Sequence, residues 1–133
     1  MDPGRWRPQA AVVAAQGSAL VWAIPARAQD GAASFRSRCA SCHSVEAGQN
    51  RVGPTLAGIL GRVSGSEPGA RYSQAMRDAK LTWDSQTLDE YLAAPQSRVP
   101  GTTMPIKVPA PEQRASIIDY LASLPEGGKA PGS

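Results

Sequence analysis

Five consecutive residues carry the most specific chemistry in the chain: Cys39-Ala40-Ser41-Cys42-His43. Two cysteines three apart, followed directly by histidine, form the C-x-x-C-H pattern of covalent haem attachment. The spacing has a physical reason. Cysteines three apart lie about one helical turn apart on the same side, so both sulfurs reach the two vinyl groups of one porphyrin edge and form thioethers. The next residue then faces the iron, and an imidazole nitrogen is a good iron ligand. Other readings of a Cys pair fit less well. A thioredoxin-type redox pair needs a strand before it, and no alternating apolar pattern precedes Cys39. A structural zinc site takes four ligands, whereas the chain has two cysteines and one histidine. A Cys39–Cys42 disulfide would close a trivial loop.

Because His43 is the only histidine, a second axial ligand must be something else: Met76, Met104, a lysine, or nothing. Met104 lies in Pro100-Gly101-Thr102-Thr103-Met104-Pro105. Pro105 pushes Met104 toward extended backbone, and a proline-stiffened loop presents one side chain at a fixed place. Met76 falls in a predicted short helix, where a methionine is usually core filler. Met104 is therefore the favoured ligand.

The elements that must position these groups read as helices joined by long loops. Asp30 is placed to cap a first helix that carries Ala33 and Phe35 on its apolar side and runs into Cys39–His43. The Gly-rich polar stretch from Ser44 to Gly69 reads as loop. Ser73 caps a short helix to about Ala79. Asp84 caps another, with Leu88, Tyr91 and Leu92 on one face, and Pro95 ends it. Five prolines between Pro95 and Pro111 exclude helix and central strand from that segment. Pro111 opens the last helix, whose apolar side is Ile117, Ile118, Leu121 and Leu124, and Pro125 closes it.

The N-terminal residues read as an export leader over 1–28. Arg5 and Arg7 are followed by an apolar run from Ala10 to Ile24, loosened by Gln16-Gly17-Ser18, and then by Ala26-Arg27-Ala28 as a small-x-small cleavage site. The run is short for a bilayer span. Residues 29–125 then form one domain and 126–133 a Gly/Pro-rich tail. The whole chain has a formal charge of +3. Arg5, Arg7 and Arg27 against Asp2 place +2 of it in the leader, which leaves +1 for the rest. That balance excludes a nucleic-acid footprint. The aromatic side chains after residue 28 are only Phe35, Tyr72, Trp83, Tyr91 and Tyr120. So thin a core calls for a cofactor.

Taken with the residues around it, the motif resembles class I cytochrome c, and specifically its short mitochondrial-like and bacterial members, from Gly31 to about Leu124. The resemblance rests on Gly31, Phe35 and Cys39; on Gly53-Pro54-Thr55-Leu56-Ala57-Gly58-Ile59-Leu60-Gly61-Arg62; on Tyr72-Ser73 and Leu81-Thr82-Trp83; on Thr87-Leu88-Asp89-Glu90-Tyr91-Leu92; on Pro100–Met104; and on Tyr120-Leu121. It implies an all-α fold of four to five helices with long loops wrapped around one haem c, covalent through Cys39 and Cys42. It implies that His43 and Met104 ligate the iron, and that the Pro54 carbonyl accepts the His43 ring N–H. It also implies that Arg62, Tyr72 and Trp83 donate to a buried propionate, and that Tyr91 and Thr102 lie near Met104. Gly31 and Phe35 would pack against Ile117 and Tyr120. The sequence departs from the family in having few lysines: only Lys80, Lys107 and Lys129 follow the leader. Ala40 and the stretch Val99–Thr103 are expected to surround the exposed haem edge.

The function this predicts is single-electron shuttling in the periplasm by a monomer that docks transiently with redox donors and acceptors, membrane-bound complexes among them. With both axial positions filled, only the redox state of the iron changes. A small peroxidase would need an open iron face and distal acid–base groups, and a gas sensor a weak sixth bond. A subunit fixed in a dehydrogenase or oxidase would share the shuttle's chemistry.

Overall fold

The computed structural model describes residues 26–124, with Gly4 ahead of them. The leader before Ala26, the stop at Pro125 and the tail 126–133 lie outside the described residues. Five helices occur among them: α1 (Ala26–Arg38), α2 (Gln74–Ala79), α3 (Ser85–Ala93), α4 (Pro95–Arg98) and α5 (Pro111–Ser123). The only extended pairing among these residues is one antiparallel bridge, Val63 with Thr82. The fold is all-α, as expected.

Three helix starts follow from the residues at their N-termini. The Ser73 hydroxyl accepts the Met76 N–H and begins α2. Asp84 accepts the Thr87 N–H while the Thr87 hydroxyl accepts the Asp84 N–H, a reciprocal capping box for α3. Pro111 occupies the first turn of α5. Two expectations are corrected. α1 starts at Ala26, so Asp30 lies within the helix and does not cap it; Ala-Arg-Ala-Gln ahead of it are good helix formers and extend the helix backward. The segment from Pro95 is not free of helix either. Pro95 begins the single turn α4, because at the first helical position a proline lacks only an N–H that has no partner anyway.

α1 and α5 form the main helix pair, with α3 packed on α5. Their approach is close at Gly31, where a Cβ would run into the Ser116 carbonyl. Phe35 and Tyr120 meet across the same contact with ring centroids 5.7 Å apart. The long loop from Ser44 to Gly69 lacks helix but not order. Ser44 Oγ donates to the Gln49 carbonyl (2.7 Å), Thr55 Oγ1 to the Glu46 carbonyl (2.6 Å), and Asn50 Nδ2 to the Pro68 carbonyl (3.0 Å). Side chains thus satisfy backbone groups that a helix would satisfy internally. The apolar faces of α3 and α5 do not close on each other completely: Leu88, Leu92, Ile117 and Leu121 instead help to wall a cleft.

Candidate functional site

Every residue singled out in the sequence for the site, except Arg62, lines this one cleft. The C-terminal end of α1 runs through a turn, with the His43 N–H donating to the Cys39 carbonyl (2.9 Å). This turn brings both sulfurs and the imidazole to the same wall. Cys39 is buried and Cys42 half-buried, and neither is in a disulfide. Burial pushes the Cys39 thiol up to about 11.

His43 is fixed from two sides. Its Nδ1 lies 2.7 Å from the Pro54 carbonyl. A carbonyl only accepts, so Nδ1 carries the proton and Nε2 keeps its lone pair. Nε2 has no protein partner among the described residues. Burial lowers the His43 pKa and the Pro54 bond partly offsets it, so the ring is neutral at pH 7, as a metal ligand must be. Gly53 lets the loop close over the ring, since a Cβ there would overlap the imidazole.

On the opposite side of the sequence, Met104 is presented by a braced loop. The Thr102 N–H donates to the Val99 carbonyl (3.0 Å) across Pro100-Gly101. Gly101 has φ +92°, the conformation that a type II turn demands at its third position. Tyr91 Oη and Thr102 Oγ1 are 2.7 Å apart, and Thr102 Oγ1 accepts from the Met104 N–H at 3.4 Å. Gln96 Nε2 donates to the Thr102 carbonyl (2.8 Å) and reaches that of Met104 (3.4 Å). Trp83 packs on Tyr91 with ring centroids 5.2 Å apart. Burial raises the Tyr91 pKa, opposed by the Thr102 hydrogen bond, and the hydroxyl stays protonated. Met76 is buried on α2 and lines the same cleft, so both thioethers reach it. They differ in that Met104 sits on a loop whose backbone is held by two side chains.

Arg62 is placed elsewhere. Its guanidinium donates to the Thr55 carbonyl (2.6 Å) and to the Ala57 carbonyl, and pairs with Glu67 Oε2 at 3.4 Å. With its side chain 12% exposed, it ties the loop together and does not line the cleft. Glu67 also gives its backbone N–H to the Tyr72 hydroxyl (3.1 Å). At the rim, Pro100, Gly101 and Thr103 are exposed and Ala40 is half-buried, while Val99 and Thr102 of the same stretch are buried, at 2% and 6% exposure. The exposed apolar residues at the mouth are Val52 (78%) and Ile106 (39%).

Several contributors escape sequence reasoning. Gln96 is one polar residue among many in a loop. Arg114 reads as a solvated helix charge. In fact its Nε meets Asp89 Oδ1 at 2.7 Å, and its Nη1 donates to the Val108 and Pro109 carbonyls, both at 2.9 Å. A signal was available for Arg71, whose place beside Tyr72 puts a cation at the cleft.

The chemistry of the donor set fits a covalently bound haem. An apolar-walled cleft holds two unpaired thiols, a neutral imidazole with a free nitrogen and a thioether, delivered from residues far apart in sequence.

A family model described as cytochrome c matches residues 28–125. The chain is 46% identical over 87 residues to cytochrome c2 iso-2 of Magnetospirillum fulvum, an alignment covering 65% of this chain and 91% of that protein. It is 40% identical over 98 residues to cytochrome c of Euglena viridis, covering 73% and 96%. It is also 40% identical over 117 residues to cytochrome c2 of Rhodomicrobium vannielii, covering 84% and 93%.

Proposed function

Since the chain belongs to the cytochrome c family and carries electrons on one covalent haem c, we propose that its iron is held between His43 Nε2 and Met104 Sδ, and that it works as an exported, monomeric electron shuttle and not as an enzyme. The observation that carries this reading is the convergence on one cleft of Cys39, Cys42, a neutral His43 and a Met104 braced through Thr102 and Gln96.

When bound, haem supplies an iron that takes up or releases one electron. The chain's residues do the rest. Cys39 and Cys42 anchor one porphyrin edge. The Pro54 carbonyl holds the proton on His43 Nδ1, fixing the tautomer and orienting the ring. Tyr91, Thr102 and Gln96 hold the Met104 backbone. Leu88, Leu92, Ile117 and Leu121 keep water from the iron. Methionine–histidine ligation raises the reduction potential, which suits a one-electron carrier between redox proteins.

A peroxidase reading has less support. Among the described residues no carboxylate and no second imidazole lines the cleft, so a bound peroxide would find neither a carboxylate nor a distal histidine as general base. Export rests on the leader over 1–28. Cleavage after Ala28 would remove the start of α1 and leave Asp30 in its first turn, where a carboxylate suits the helix dipole. A net charge of +1 after the leader and the exposed pair Val52 and Ile106 at the mouth suit transient docking to redox proteins, soluble or membrane-bound.

The test is absorbance of the haem-loaded protein. The wild type is expected to show the weak near-infrared band of methionine–ferric haem and to bind no carbon monoxide at neutral pH. Met104→Ala loses the band and admits carbon monoxide, while Met76→Leu keeps it. The reverse pattern would move the ligand to Met76.

A further inference from the structure

We propose that Arg71 is a cation that pairs with a haem propionate in this protein. The inference rests on the cleft being the haem site. A haem carries its two carboxylates on the edge remote from the vinyl groups that Cys39 and Cys42 engage, and a carboxylate drawn into protein needs donors and preferably a cation. Donors free to serve are grouped on the segment Arg71–Trp83. The Tyr72 hydroxyl accepts the Glu67 N–H at 3.1 Å and so keeps its own O–H to give. Ser73 Oγ accepts the Met76 N–H at 3.1 Å and keeps its O–H likewise. The indole N–H of Trp83 has no acceptor among the described residues. All three residues line the cleft.

Two arginines line the cleft, Arg38 and Arg71. Arg38 directly precedes Cys39 and belongs to the thioether edge. Arg71 directly precedes Tyr72 and Ser73 and belongs to the donor cluster. Among the described residues Arg71 makes no hydrogen bond or ion pair, whereas Arg62 is held by two carbonyls and by Glu67. Arg71 is exposed, so its effect must fade with salt, unlike that of a buried charge. A cation beside the propionate disfavours the more positive ferric state, so Arg71 raises the midpoint potential.

The experiment is a spectroelectrochemical titration of the full-length, haem-loaded protein from low to moderate ionic strength, for the wild type, Arg71→Gln, Arg71→Lys and Arg77→Gln. Arg77 is six residues on, exposed on α2 and outside the cleft. Its variant removes the same charge without touching the site. Arg71→Gln is expected to lower the midpoint at low salt, with the gap to wild type closing as salt is added. Arg71→Lys should stay near wild type, and Arg77→Gln should shift by less than half as much. An Arg71→Gln midpoint equal to wild type, or an Arg77→Gln shift as large, overturns the proposal. The near-infrared band of each variant reports Met104 ligation independently, so failure of that reading shows in the wild-type spectrum, whatever the midpoints do.

Discussion

Replacing Thr102 by valine isolates what braces the Met104 loop. Valine keeps the branched shape and removes one oxygen, Oγ1, which lies 2.7 Å from Tyr91 Oη and 3.4 Å from the Met104 nitrogen. Tyr91 is buried, so its hydroxyl would be left without a partner. Leaving one buried polar group unsatisfied costs about 1–3 kcal/mol. If about 2 kcal/mol of that falls on the closed loop alone, the open population rises roughly 30-fold, since 1.4 kcal/mol is about tenfold. Two assays read it: denaturant unfolding of the haem-loaded protein gives the total cost, and the rate of carbon monoxide entry at neutral pH gives the share due to loop opening. Tyr91→Phe removes the other half of the bond and leaves Thr102 Oγ1 its contact with Met104, so it should cost less. The double variant then has no orphaned hydroxyl. It should be less destabilised than the two single costs added together, by about 1 kcal/mol or more. Strict additivity of the two would refute the claim that this bond, and not the packing of either side chain, holds the loop.

Other outcomes follow from the same geometry. Haem should survive acid–acetone extraction and appear in the intact mass and in a haem-stained denaturing gel, with Cys39→Ala and Cys42→Ala each cutting holoprotein yield. Gly53→Ala places a Cβ against the imidazole and should weaken the near-infrared band, whereas Gly48→Ala, with open space around it but φ +74°, should cost some stability and leave the band intact. The Asp84 carboxylate is held below its ordinary range chiefly by the Thr87 N–H. Its contribution is present above the unfolded pKa and lost as pH falls through the folded one, so Asp84→Ala should lower the melting temperature at neutral pH by more than in acid. Val52→Asp and Ile106→Asp should each slow oxidation by the native acceptor several-fold, measured as a second-order rate, with little change in midpoint potential.

The attachment motif was legible because its chemistry is local: three residues within five positions fix where the thioethers and one ligand go. The helices at Ser73, Asp84 and Pro111 were legible for the same reason, two announced by a side-chain cap and the third by a proline at its first position. What escaped depends on contacts made within irregular loops, where no helical or strand period announces the partner. Arg62 does not line the cleft, its guanidinium being held by the Thr55 and Ala57 carbonyls and by Glu67, and no periodic pattern in the loop announces three acceptors within seven residues. Gln96 and Arg114 act through carbonyls of a loop whose path is set only once the chain has folded. The start of α1 was misplaced because Asp30 is a good cap residue that the helix formers ahead of it overrule.

The Arg114 contacts also bear on how the protein opens. Val108 gives its N–H to the Leu92 carbonyl at 2.8 Å, and Arg114 grips the Val108 and Pro109 carbonyls while bonding to Asp89. The segment between α3 and α5 is therefore riveted at its base, and its two ends are anchored to helices that also hold each other. Such a segment lifts as one cooperative unit and does not fray residue by residue. Its amides should exchange with solvent hydrogen at a shared free energy below that of α1 and α5, so that the Met104 side of the cleft can be bared while the helix pair, and the thioethers at the end of α1, stay in place.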